Sequence, residues 1–171
     1  MIKNEQEYQN SLNWLRQFEE SVAELDCNEK LKTNQTRWQL HRDSSQSQVA
    51  ELKAEIAEYK RLINCDRSQP IQIKVESINK LSDVLIKARI AAKISQQELA
   101  QILGIEEQRV RQYEDTDYQC ASFVEVLEVS IALGIEFETG VIRVDFEEIA
   151  AVKQSAEKWR KEKAIATGKT S

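Results

Sequence analysis

The sequence predicts a mainly α-helical protein, on three observations. Helix breakers are scarce, with 4 Gly and 1 Pro in 171 residues, and these are the residues that most often interrupt a helix. Apolar side chains recur at steps of three and four along most of the chain, which is the helical period. In the middle of the chain a Ser-x-x-Glu capping signature and glycine stops bracket short amphipathic runs. A hydrophobic share of 41% beside 31% charged residues indicates a folded chain rather than a disordered one.

Taken in order, Tyr8, Leu12, Leu15, Phe18, Val22 and Leu25 form one apolar stripe, predicting a helix over residues 3–26. The polar stretch Asp26 to Thr36 reads as a turn. A second helix is expected from Gln35 to Asn64, carrying Trp38, Val49, Leu52, Ile56, Tyr59 and Ile63. Asp43-Ser-Ser-Gln-Ser-Gln is a place where it could falter, because Ser and Asp compete for the backbone. Two such helices make a hairpin over residues 1–66, whose surplus apolar surface could pair with a second chain. Trp14, Trp38 and Trp159 are expected as core or interface anchors, and His41 as a surface residue.

The single proline, Pro70, marks a linker over residues 67–77. Within it Ile71 to Val75 alternates, as a short strand or an extended linker would. A third unit is expected over residues 78–138. Leu81, Val84, Leu85, Ala88, Ala91 and Ala92 outline its first helix, ending near Lys93. Ser95-Gln-Gln-Glu98 then has the form of a capping box and opens a second helix that Gly104 stops. A third helix runs from about Glu106 to Glu114, and a fourth from Ser122 to Leu133 ends at Gly134. Leu99, Ala100, Leu103, Ile105, Val110 and Tyr113 would pack this unit. Glu107, Gln108, Arg109, Arg111 and Gln112 are left for the outside of the third helix, which has the dimensions of a major-groove reader.

Residues 95–114, SQQELAQILGIEEQRVRQYE, resemble the Cro/C1-type (XRE family) helix-turn-helix. Its pattern is S/T-Q-x-E-L-A-x-x-L-G followed by a distal [IV]-x-x-x-E. Val126 to Ile135 is similar to that family's last helix, which ends in A-L-G-[IV]. The likeness covers residues 81 to 136, and it implies roles. Gln96 would bond a phosphate and brace the third helix. Glu106, Glu107 and Gln108 would face base edges, with Gln112 one turn later. Arg109 and Arg111 would contact DNA, and Arg89 and Lys93 would meet phosphates. The sequence departs from the family in the two glutamates opening the recognition helix. It departs again in the loop Glu114 to Ser122, which has neither the usual Gly nor the usual Pro. DNA affinity is the property those departures touch.

The formal charge is −5, no strong attractant for a polyanion. Residues 71–138 hold seven basic and twelve acidic side chains, whereas residues 87–112 hold five basic and three acidic ones. One face could therefore dock on DNA while others repel it, with marked salt dependence. Residues 139–171 form the last unit. Val141 to Phe146 could be a short strand, Asp145 could cap a final helix bearing Phe146, Ile149, Val152, Ala156 and Trp159, and the polar tail would be loose.

Cys27, Cys65 and Cys120 are far apart and lack CxxC spacing, so three reduced thiols and no metal are expected. No Gly-rich phosphate loop, metal cluster or nucleophile dyad is visible, and neither an enzyme nor a cofactor is expected. The N-terminus is polar and no apolar run approaches a membrane span, so a cytoplasmic protein is expected. The leading reading is a repressor that binds double-stranded DNA as a homodimer on a pseudo-palindrome. The alternatives are an antitoxin of the HigA type, binding a toxin protein and repressing its own operon, and a helical adaptor that has lost DNA.

Overall fold

The computed structural model describes residues 1–75 and 77–167 and is mainly α-helical. Helix α1 spans Glu5–Cys27, a short α2 spans Glu29–Lys32 and α3 spans Gln35–Ile63. A 3₁₀ turn at Ile78–Lys80 leads into α4 (Leu81–Ala92), followed by α5 (Gln96–Leu103), α6 (Glu107–Asp115), α7 (Phe123–Ala132) and α8 (Phe146–Thr167). Of the tail expected to be loose after Lys163, the part up to Thr167 belongs to α8 and residues 168–171 lie outside the described residues.

Helices α1 and α3 pack against each other as a hairpin. Asn4 caps α1 through the Glu7 N–H and Asn34 caps α3 through the Arg37 N–H. Tyr8 stacks on Tyr59 with ring centroids 5.1 Å apart. At the turn end, the Trp38 indole N–H donates to the Leu25 carbonyl at 2.8 Å and Arg42 pairs with Asp26 at 2.7 Å. α3 does not falter at the Asp43–Gln48 stretch. Those side chains sit on or near the wet side, where Ser and Asp have no buried surface to compete for. Trp14 and Trp159 are exposed and Trp38 is half-buried, so none of the three tryptophans is a core anchor.

Residues 1–66 do not bury their stripe alone. Ile2, Ile56, Tyr59 and Leu62 from the hairpin join Leu85, Ile86, Ile90, Leu99, Ala100, Val110, Tyr113 and Val129 in one core. Met1–Glu136 is accordingly one compact unit and Phe137–Ser171 a second. In the stretch expected as a linker, 67–77, residues 67–75 form no helix or strand and Ser77 caps the 3₁₀ turn. The residues on either side of it belong to one core rather than to two.

The central helices begin and end by local chemistry. The Ser95 hydroxyl accepts the Glu98 N–H at 3.1 Å, and the Glu98 carboxylate accepts the Ser95 N–H at 2.7 Å. An identical box, Ser122 with Glu125, opens α7. Gly104 ends α5 at φ 69°, a left-handed conformation that costs glycine nothing, and the Ile105 N–H closes on the Ala100 carbonyl. Replacing Ser95 by alanine removes one cap and is expected to cost about 1 kcal/mol in urea unfolding, with threonine retaining most of it. A loss indistinguishable from zero would mean that the box contributes nothing to holding α5.

Among the described residues no strand is present, including at 71–75 and 141–145. Alternating residues form a ladder only where a second strand supplies hydrogen bonds, and among the described residues neither stretch is paired with one. In the second unit Asp145 caps α8, accepting the Glu147 and Glu148 N–H groups at 3.0 and 3.1 Å.

Candidate nucleic-acid interface

Helix α6 is sealed on one side and open on the other. Val110, Tyr113 and Glu114 are buried, while Glu106, Gln108, Arg111 and Gln112 are exposed. The buried side is set by an ion pair. Arg89 of α4 meets Glu114 with both nitrogens of its fork, at 2.5 and 2.7 Å, and the two side chains are 6% and 0% exposed. Its remaining bonds go to the carbonyls of Ile94 at 3.0 Å and Lys3 at 2.9 Å. Gln96, at the start of α5, donates to the same Glu114 carboxylate at 2.8 Å. The Lys3 ammonium bonds the Glu114 carbonyl and pairs with Asp117 at 2.9 Å. Cations near the last carbonyls of a helix also suit its dipole.

This corrects the expectation for Arg89. It is not a phosphate contact, because its guanidinium is buried and occupied within the protein. For Gln96, the structure shows the bracing bond to α6 and leaves the side chain half-exposed. Lys93 is exposed, adopts φ 57° at the end of α4, and makes no ion pair among the described residues.

The two arginines of α6 have partners inside the chain. Arg109 lies over the Tyr113 ring with its guanidinium carbon 4.7 Å from the centroid, and its nitrogens reach Glu125 at 3.2 Å and Gln112 at 3.1 Å. Arg111 pairs with Glu107 one turn earlier, its Nε donating at 3.0 Å. Glu106 is the N-cap residue of α6, but its side chain accepts no capping bond. Thus Glu106, Gln108, Arg111 and Gln112 share the open surface, with Glu107 and Arg109 half-buried beside it. Ile105, expected in the core, is 36% exposed at the turn, and Leu103 is half-buried.

Glu125 is a junction that the residue pattern alone does not announce. It completes the α7 capping box and also accepts the Tyr113 hydroxyl at 2.6 Å, tying α6 to α7. The Tyr113 hydroxyl, then the Ser122 N–H and hydroxyl, then Arg109 hold its carboxyl down at about 2. Glu58, bonded by Arg61 and by Lys87 of α4, is likewise held at about 2. Both groups are depressed below the ordinary 4.5, so the stability they contribute is complete above that pH and is lost as pH falls toward 2. The urea midpoint is expected to drop most steeply between those values, with a shallower drop in Glu125→Gln. An unchanged slope in the variant would remove Glu125 from the linkage.

The loop after α6 passes through left-handed conformations at Asp117 (φ 48°) and Tyr118 (φ 60°). Neither residue is glycine, so each costs energy there. Tyr118 offsets this by burying its ring against Tyr113, with centroids 5.4 Å apart.

No group of three or more His, Cys, Asp or Glu side chains is arranged to hold a metal among the described residues, and none of their helices is long and apolar enough to cross a membrane. No family model, no curated protein and no solved structure matches the chain.

Proposed function

We propose that this chain is a sequence-specific, double-stranded DNA-binding transcriptional regulator, a repressor that acts as a homodimer on a pseudo-palindromic operator. The observation that carries the reading is α6. It is a nine-residue helix whose inner side is locked by Arg89–Glu114 and Gln96, leaving an outer side that presents Gln108 and Gln112. Gln reads adenine bidentately, and a rigid mounting is what such readout requires. Lys93, exposed and without an ion pair among the described residues, is available for a backbone phosphate. Arg111 and Arg109 reach DNA only by exchanging Glu107 and Glu125 for phosphate. The reading involves no catalysis, cofactor or membrane, and it places the protein in the cytoplasm.

The test is selection of bound duplexes from a random library, followed by fluorescence anisotropy at two salt concentrations beside Gln108→Ala/Gln112→Ala. A palindromic winner bound with steep salt dependence and lost in the variant supports the proposal. No enrichment and no binding at low salt would retire it.

The acidic balance favours a second reading, an antitoxin that also represses its own operon. Twelve acidic side chains in residues 71–138 suit a basic partner, and Val124, Leu127 and Ile131 line an exposed apolar face of α7. Co-purification with a small basic protein encoded beside it would distinguish this from a stand-alone repressor. A helical adaptor that has lost DNA is the reading left if neither DNA nor such a partner binds.

A further inference from the structure

Residues 2–4, which lead into α1, fasten the hairpin to the far end of α6. Ile2 is buried in the shared core. The Lys3 N–H donates to the Glu7 carboxylate of α1 at 2.8 Å, and its carbonyl accepts from Arg89 of α4 at 2.9 Å. Its ammonium donates to the Glu114 carbonyl in the last turn of α6 and pairs with Asp117 in the following loop at 2.9 Å. Asn4 then caps α1 through the Glu7 N–H. The first turn of α1 and the last turn of α6 thus share one fastening residue, which lies 111 positions before Glu114. From α3 the hairpin has a separate link, the Glu58 pair with Lys87 of α4 at 3.3 Å.

The loop that Lys3 grips is under load. Asp117 and Tyr118 both hold left-handed backbone, at φ 48° and 60°, which is costly for a residue with a Cβ. The Tyr118 hydroxyl is buried and has no hydrogen-bond partner among the described residues, a cost that access to water removes. Asp117 is therefore both a strained residue and the one that the Lys3 ammonium holds. Opening the loop sheds the strain and wets the hydroxyl, while closing it gains the ion pair. That is the balance a two-state element needs. The end of α6 opens with the loop, because the Thr116, Asp117 and Tyr118 N–H groups donate to the Gln112, Glu114 and Tyr113 carbonyls.

We infer that residues 2–4 are a strap through which the hairpin regulates α6. Displacing α1 from α3 withdraws Lys3, relaxes the loop at Asp117 and Tyr118, and frees the last turn of α6. Lys3 is a positioning residue in this device, and α1 is its lever. A partner seated on the hairpin acts on α6 without touching its open side. The inference rests on the proposed DNA reading only for its consequence, the loss of a rigid mounting for Gln108 and Gln112. The coupling itself is measured without DNA, so either can fail alone.

Amide hydrogen exchange of the full chain reads the opening of the Tyr118 N–H, with the Ile105 and Leu133 N–H groups at the ends of α5 and α7 as references. Lys3→Met keeps the length of the side chain and removes the ammonium. It is expected to raise opening at Tyr118 about tenfold relative to the references. Lys3→Arg, which can bond both oxygens, is expected to hold it near the wild-type value. Leu15 is half-buried on the stripe of α1, about three turns from the strap. Leu15→Ala loosens α1 and is expected to raise opening at Tyr118 about threefold in the wild type, and to add nothing once Lys3 is Met. Equal effects of Leu15→Ala in both backgrounds, or no effect in either, overturn the inference. So does a Lys3→Met change shared equally by Ile105 and Leu133, which is a loss of global stability alone. On the operator selected as above, Lys3→Met is expected to bind about tenfold more weakly. Coupled exchange in a chain that binds no duplex leaves the strap standing and the DNA reading fallen. Operator binding with uncoupled exchange does the reverse.

Discussion

Glu114→Ala is expected to destabilise the protein by about 3–5 kcal/mol, the cost of stranding a buried charge. Glu114 is fully buried and receives two bonds from Arg89 and one from Gln96. Removing it leaves a buried arginine, 5% exposed as a residue, whose guanidinium keeps only two carbonyl partners. The loss is a large part of the roughly 5–15 kcal/mol that holds an ordinary domain together. With a urea slope of about 2 kcal/mol per molar, the midpoint should fall by about 2 M. Arg89→Met/Glu114→Leu should recover most of that loss, because apolar residues of similar volume carry no desolvation penalty. The double variant also loses the anchor for Gln96, so α6 would be held by packing alone. A Glu114→Ala loss below about 1 kcal/mol would mean that water reaches the pair and that α6 is positioned by Val110 and Tyr113 instead.

The elements legible in the sequence were those specified by neighbours a few residues away. Ser95 with Glu98 and Gly104 fix both ends of α5 within one short run, and the structure ends the helix at the expected residue. The hairpin helices and α8 follow from stripes and caps in the same way. What was not legible depends on residues far apart in the chain. Arg89 reads as a solvent-facing cation in a helix whose apolar stripe lies beside it. Its burial is decided by Glu114, 25 residues on, and by the Lys3 carbonyl, 86 residues back. Arg109 has the same history, because Glu125 lies on the next helix. Pro70 and the polar stretch before it are local signals of a boundary, and they set the hairpin apart in the sequence. A core shared between Leu62 and Leu85 leaves no local trace. Alternation at 141–146 was visible as a pattern, but whether a strand forms depends on a partner that one chain cannot supply.

Glu106→Gln/Glu107→Gln is expected to raise affinity for duplex DNA of any sequence about tenfold at low salt, if α6 enters the groove as proposed. Glu106 is exposed at the start of the helix and Glu107 holds Arg111. A carboxylate about 7 Å from a phosphate is repelled by about 0.6 kcal/mol at the dielectric of water, and each glutamate would face more than one phosphate. Removing both charges also frees Arg111, adding a cation where an ion pair stood. The total, about 1–3 kcal/mol, brackets a tenfold change at roughly 1.4 kcal/mol per decade. It should shrink as salt rises, because screening shortens from about 10 Å at 0.1 M to about 3 Å at 1 M. Gln108→Ala/Gln112→Ala should behave in the opposite way, losing about 1–3 kcal/mol per lost base contact on the selected operator and little elsewhere. The two double variants therefore separate charge from readout on one helix. If the glutamine-for-glutamate exchange weakens operator binding and leaves random duplex untouched, a glutamate is reading cytosine N4 directly. If neither double variant changes DNA binding, α6 does not face the duplex, and its open side belongs to a protein.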